Sequence, residues 1–282
     1  MMALKSFEKG NKDRSRLCMH TITTKPWDIH QAIAKFSSAG IGGISVWRDT
    51  IEGKNLEAIK NEISSAGMEA VSLVRGGFYT GHTKEERQKS IDDNLRAIDE
   101  AAAIAAPMVV LVCGATPGLT VHENLQQIQD GTEATLDHAI ASGIKLAIEP
   151  LHPMYADIRS AVPTMKAAND LCDAIQSANV GVAVDVYHVW WDPEFEKEIA
   201  RCGEAGNILA YHICDWKTDM SDMLQDRGLM GEGIINLKRM KKLVEDAGFN
   251  GYEEVEIFSK KYWAQDQDEF LNKIIAAYDE HC

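Results

Sequence analysis

The chain has 282 residues, 45% of them hydrophobic, enough to bury a large core as one large domain or two small ones. A formal net charge of −14 at pH 7 argues against a nucleic-acid-binding surface, which ordinarily presents a net basic face. The start of the sequence has no apolar signal-like segment and no apolar run is long enough to span a bilayer, so a cytoplasmic protein without membrane contact is expected.

After a polar arm, Arg16 to Ile22 reads as a first strand, and Pro26-Trp27-Asp28 opens a helix through Ala39 that Gly40 stops. Gly43 to Arg48 is the second strand, followed by a helix over about Asn55 to Ala66. Glu69 to Arg75 is the third, running into Gly76-Gly77-Phe78-Tyr79, and a long helix covers Lys84 to Ala105. Met108 to Gly114 is the fourth, with a helix over Val121 to Ser142. Lys145 to Glu149 is the fifth, and Pro163 opens the next helix. In Gly181 to His188, Val182, Val184 and Val186 alternate with Ala183 and Asp185, the period-2 pattern of a buried sixth strand. A short helix near Pro193 to Arg201 follows. Ile208 to Cys214 is the seventh strand, followed by a long loop and a helix over Leu237 to Ala247. Tyr252 to Phe258 is the eighth, and a helix near Asp268 to Tyr278 closes the series.

Eight strand–helix pairs with near-continuous apolar strands imply a parallel sheet covered by helices. In this length they predict one domain over residues 1–282, a single (β/α)8 TIM barrel of the α/β class, with a doubly wound sheet as the alternative. Gly40, Gly67, Gly143 and Gly248, each just before a strand, read as helix C-caps. The six cysteines are scattered without a C-x-x-C pair. Cys18, Cys113 and Cys214 lie inside apolar runs, so reduced thiols are expected rather than a disulfide framework.

A carboxylate at the exit of a buried strand is costly unless something pairs with it. Four metal-competent residues sit at or near the C-terminal ends of strands five to eight: Glu149, Asp185, His212 and Glu256. In a closed barrel those ends converge on one mouth. Three carboxylates and an imidazole gathered there repel one another and call for a cation. Oxygen-rich ligation with one nitrogen suits a single divalent ion, Mn²⁺ or Mg²⁺ first, with Co²⁺, Fe²⁺ or Zn²⁺ as alternatives. For any one residue alone, a salt-bridged strand-end acid or a hydrogen-bonded histidine is the competing reading.

The runs Ala147-Ile-Glu149-Pro-Leu151 and Val184-Asp-Val-Tyr-His188, the Tyr211-His212 strand, Val255-Glu256-Ile257 and the Gly231-Glu-Gly233 turn carry a resemblance. Together they resemble the xylose isomerase-like TIM barrels, a superfamily that includes ketose 3-epimerases, inosose dehydratases, sugar isomerases and endonuclease IV. The resemblance covers essentially the whole chain and does not fix the substrate. It implies that Glu149, Asp185, His212 and Glu256 hold one divalent metal. Glu149 and Glu256 then also form the proton-transferring pair, and His188 contacts a substrate oxygen. Endonuclease IV differs by extra histidines on the third and fourth strands and an Asp-x-His after the seventh. Here those places read Val74-Arg75, Cys113-Gly114 and no such pair, so DNA cleavage is not expected.

Trp47-Arg48, Phe78-Tyr79, Trp190-Trp191 and Trp216-Lys217 follow strand ends and supply aromatic faces for a sugar or cyclitol ring; plugging of loops or a subunit interface is the other reading. Arg48, Lys217 and Arg227 are candidates to hold hydroxyls or an anionic group. His152, Tyr155, Asp157 and Arg159 lie in a loop expected to cover substrate, although Asp157 or Arg159 can equally form a structural salt bridge. His20 reads as pocket wall, and Asp215 as a weaker metal candidate beyond its strand. Gly231-Glu-Gly233 is too short and wrongly placed for a dinucleotide fingerprint, and neither Ser37-Ser38 nor Ser64-Ser65 sits in a nucleophile elbow.

The expected activity is a metal-dependent sugar or cyclitol isomerase/epimerase that removes a proton next to a ketone. Alternatives are a dehydratase or lyase on an inosose or 3-keto-sugar, and a non-catalytic sugar-binding barrel. The site residues are Glu149 and Glu256 for proton transfer, with His188, Arg227, Trp47, His152 and Lys217 toward a small-molecule substrate. A homodimer or homotetramer is the expected assembly.

Overall fold

The computed structural model describes residues 14–282; most of the polar arm lies outside them. Eight parallel strands close into a barrel in sequence order. They are β1 (Leu17–His20), β2 (Gly43–Trp47), β3 (Glu69–Gly77), β4 (Met108–Val112), β5 (Lys145–Ile148), β6 (Val180–Asp185), β7 (Ile208–Ile213) and β8 (Glu253–Val255). The helices are α1 (Ile29–Ser38), α2 (Leu56–Ser65), α3 (Lys84–Ala103), α4 (Val121–Ala141), α5 (Met165–Ile175), α6 (Val186–Val189), α7 (Phe195–Glu204), α8 (Leu237–Asp246), α9 (Lys260–Trp263) and α10 (Gln267–His281). The chain is therefore a (β/α)8 barrel, not a doubly wound sheet.

The alternation of side chains along each strand sorts the core into two shells. Leu17, Met19, Ile44, Val46, Leu73, Val109, Leu111, Leu146, Ile148, Val182 and Val184 face outward and pack under the helices. The inward face is made of smaller groups: Ala147, Ala183, Ala210, Val74 and Val110, with Met108. Small interior residues leave room at the mouth for the long polar side chains that end several strands.

Local signals explain most boundaries. Asp28 with Gln31, Thr83 with Glu86, and Thr120 with Glu123 form reciprocal capping boxes at the starts of α1, α3 and α4. Gly40, Gly67, Gly143 and Gly248 all take positive φ after their helices, as C-cap residues do.

Four of the boundaries that differ from the sequence expectation have a clear local reason. β1 stops at His20 because Thr21–Thr24 turns into a 3-10 helix, where Thr23 donates to the Val255 carbonyl and accepts from the Ile257 N–H. That side-chain bridge replaces further strand pairing, and β8 ends at Val255 rather than Phe258. β6 ends at Asp185 because its carboxylate accepts from the Tyr187 N–H at 2.8 Å and starts α6. His188 thus lies on a helical turn. Thr164, not Pro163, caps α5, its hydroxyl accepting from the Ala167 N–H. The cysteines are free, and all but Cys282 are buried.

Thr83→Ala removes one half of the α3 capping box and should cost about 1 kcal/mol of stability, read as a lower denaturation midpoint with unchanged slope.

Candidate metal centre at the barrel mouth

Glu149 follows β5, Asp185 ends β6, His212 is the penultimate residue of β7, and Glu256 follows β8. Register places them level: Asp185 pairs with His212, the Glu149 N–H donates to the Leu111 carbonyl, and the Glu256 N–H donates to the Ile213 carbonyl. All four are buried, and one donor atom from each lies within 4.8 Å of the others. His212 Nδ1 and Glu149 Oε1 stand 3.3 Å apart, yet neither finds a hydrogen-bond partner among the described residues. Buried donor atoms left unsatisfied around one point fit a cation-binding set of three carboxylates and one imidazole.

The cluster's negative charge is partly met by protein cations. Arg227, only 3% exposed, directs Nη1 to Asp185 Oδ2 and Glu256 Oε2, each at 2.9 Å. Its guanidinium lies 4.4 Å from the Tyr187 ring centroid and 5.0 Å from that of Phe258. His20 bridges Glu254 through Nε2 and Glu256 through Nδ1, both at 3.1 Å. Glu254 also accepts from Ser45 at 2.5 Å, below the mouth.

Burial pushes Asp185 above its ordinary carboxylate range, against the opposing pull of Arg227. Burial pushes Glu256 up as well, but the charges of His20 and Arg227 prevail and hold it well below the usual range. For His212, burial alone would depress the pKa; the charges of Glu254, Glu256 and Glu149 override it and raise it to about 10. His188 goes the other way: burial and Arg227 push it far down. A neutral His188 ring then faces two donors, the His152 N–H at Nδ1 and Arg227 Nη2 at Nε2, each at 3.2 Å. It can accept from only one of them.

The structure brings together some predicted substrate contacts and separates others. Trp47, His188 and Arg227 line a small inner cavity with Glu149, Val74, Tyr155, Arg159, Leu224, Glu256 and Phe258. Its volume is about 20 Å³, room for a water-sized species. Leu224 comes from the loop after β7, which Tyr155 and Tyr187 fasten by donating to the Met223 carbonyl at 2.8 and 2.7 Å. His152 and Lys217 do not line this cavity. His152 stacks on Trp216 with ring centroids 4.8 Å apart, and Lys217 is ion-paired with Asp226. Arg48 is tied to Asp93 and Glu100.

Asp215 is a loop organiser. It accepts from the backbone N–H groups of Trp216, Gly231, Gly233 and Ile235 at 2.8–3.0 Å. That cradle explains the Gly-Glu-Gly turn, since a Cβ on Gly233 would fall 2.2 Å from the Trp216 carbonyl oxygen. Glu254 was the residue sequence reasoning missed. Its signal was present, because period-2 alternation puts Glu254 and Glu256 on one face of β8 and Glu253 on the other, where Glu253 pairs with Lys241 at 2.6 Å.

A family model described as xylose isomerase-like TIM barrel matches residues 33–274, and the chain belongs to that family. The crystal structure of protein SMc04130 from Sinorhizobium meliloti 1021 is similar with a TM-score of 0.91 and 41% identity, covering 95% of this chain and 98% of that one. The inosose isomerase of Halalkalibacterium halodurans is 21% identical over 77% of this chain and 76% of its own length. A crystal structure of the IolI protein with a bound zinc atom shares the fold at a TM-score of 0.81 and 19% identity, covering 93% of this chain and 96% of that one.

Metal analysis of the purified protein should find about one divalent ion per chain, and Asp185→Asn should abolish stoichiometric binding. Glu254→Gln, which removes charge behind His212, should weaken affinity by only about 10–100-fold. Separately, the Arg48 pairs hold Asp93 below its ordinary range, so their stabilisation is present above pH 3.8 and fades as pH falls through the depressed value. Arg48→Gln should therefore cost about 0.5–1 kcal/mol at neutral pH, allowing for solvent screening, and progressively less in acid melts.

Proposed function

We propose that this chain is a divalent-metal-dependent isomerase or epimerase of a keto-sugar or cyclitol, acting by removal of a proton next to the ketone. The observation that carries the reading is the convergence of Glu149, Asp185, His212 and Glu256 donor atoms within 4.8 Å at one buried mouth. The similarity to an inosose isomerase supports a polyhydroxylated ketone as substrate, and the zinc bound by the IolI protein supports a divalent ion in this family's mouth.

Glu149, Asp185, His212 and Glu256 would hold a divalent cation, which would supply Lewis-acid stabilisation of negative charge next to them. The chain's own residues do the rest. Glu149 acts as the base that takes the proton from the carbon beside the carbonyl. On the opposite face Glu256, whose Oε1 lies 3.1 Å from His20 Nδ1, passes on a proton that His20 supplies, which inverts the centre. Arg227 and His188 face the substrate's oxygens. The inner cavity, at about 20 Å³, is too small for a sugar, so entry of substrate requires the Leu224 loop to move aside. Departure of a β-hydroxyl from the same intermediate makes the reaction a dehydration, the second outcome this site accommodates.

Incubation of the metal-loaded protein with inososes and ketoses in D₂O should exchange the hydrogen next to the ketone. Glu149→Gln and Glu256→Gln should each slow exchange by at least about 100-fold, with metal content measured in parallel. Exchange persisting in both variants would sink the two-carboxylate mechanism, and loss of water seen by mass spectrometry would assign the lyase outcome.

A further inference from the structure

The cations that the sequence offers for an anionic substrate group are already engaged: Arg48 with Asp93 and Glu100, Lys217 with Asp226, and Arg227 with Asp185 and Glu256. Among the described residues, two arginines have neither an ion pair nor a side-chain hydrogen bond, and both stand at the barrel mouth. Arg159 lines the inner cavity with Glu149 and His188, and its Nε is buried without a partner. Arg75 lines a neighbouring cavity of about 610 Å³ that shares Trp47 and Val74 with the inner one. Arg159 thus does not make the structural salt bridge that the sequence allowed.

Backbone geometry aims both residues. In the pairing of β3 with β4, Val74 sits opposite Val110 and Gly76 opposite Leu111, leaving Arg75 as the extra residue of a bulge. Bulges re-aim a side chain at the end of a strand. The Arg75 guanidinium lies 4.3 Å from the Phe78 ring centroid. The Arg159 segment is pinned to the same strand end: Gly114 donates to the Arg159 carbonyl at 2.9 Å, and Ala161 donates back to Gly114 at 3.0 Å. Phe78 donates to the Val112 carbonyl at 2.7 Å, and a Cβ on Gly114 would come within 2.9 Å of Phe78 Cα. Both arginine-bearing segments therefore flank the end of β4.

Two half-buried, unpaired guanidinium groups are costly, and more so side by side; this chain, with a net charge of −14, has carboxylates in surplus to neutralise them. Burial, then the charges of Arg159 and Arg48, push Arg75 below the usual arginine range. An incoming anion relieves this cost, and the planar guanidinium fork matches carboxylate or phosphate oxygens.

We infer that Arg75 and Arg159 form an anion-binding subsite beside the candidate metal centre, so that the substrate carries a carboxylate or a phosphate as well as its ketone. The subsite stands on the cavities and the unpaired cations; the ketone rests on the function proposed above. The reacting carbons then lie toward Glu149 in the inner cavity and the charged group toward Arg75 in the outer one.

Calorimetric titration of the metal-loaded protein with D-glucuronate, glucose 6-phosphate and neutral glucose tests the inference without turnover. One charged sugar should bind at least about tenfold tighter than glucose, and the tighter arm identifies carboxylate or phosphate. The Arg75→Gln/Arg159→Gln double variant should lose that advantage over glucose, with metal content and melting temperature certifying its fold. Charged sugars binding no tighter than glucose, or a preference that survives the double variant, would overturn the subsite. Failure of the proposed reaction has a different signature: no solvent exchange with any ketone while the charge preference persists.

Discussion

Four acids share one end of this barrel. Glu149, Asp185, Glu254 and Glu256 are all buried, and three protein cations or potential cations, Arg227, His20 and His212, stand among them. Concentrating that much charge away from water is tolerable only if nearly every oxygen has a donor or a positive neighbour. Much of the mouth serves that requirement. Small interior residues make room, Ser45 and Ser72 donate upward to Glu254, and Arg227 reaches in from a loop. Among the atoms left unsatisfied, those on Glu149 and His212 belong to the four-residue group that could hold a cation.

Arg227 depends in turn on how the segment after β7 is folded. Asp215 gathers the backbone N–H groups of the Gly231–Ile235 stretch, and Asp226 holds Lys217 and Ser221. Arg227 itself is fixed by its own N–H donating to the Phe258 carbonyl at 2.9 Å. A loop without regular secondary structure is thereby given a defined path across the mouth, with Leu224 over the inner cavity. The residue that neutralises two of the acids thus belongs to the same segment that contributes Leu224 to the cavity lining.

Under the proposed function, chemistry and anion recognition fall on different sides of the mouth. The acids come from β5 to β8, whereas the unpaired arginines stand beside the ends of β3 and β4, with Trp47 between. Such a division lets loops on one side vary without disturbing proton transfer on the other, as barrel enzymes commonly do.

The barrel itself was legible in the chain, because each strand is a short apolar run and several helices carry their own cap and glycine stop. Glu149, Asp185, His212 and Glu256 were legible for the same reason: a polar side chain at the end of a buried run is conspicuous. Nothing local distinguishes Glu254 from Glu256, or tells that Arg159 stays unpaired while Arg48 finds Asp93 and Glu100. Those outcomes depend on side chains brought together from strands and loops far apart in the chain, on the bulge that turns Arg75, and on the path of the loop after β7. The sequence by itself determined which groups reach the mouth, since periodicity and capping act within a few residues. Only the tertiary structure decided which charges neutralise one another and which are left over for a ligand, because that pairing follows from distances across the closed barrel.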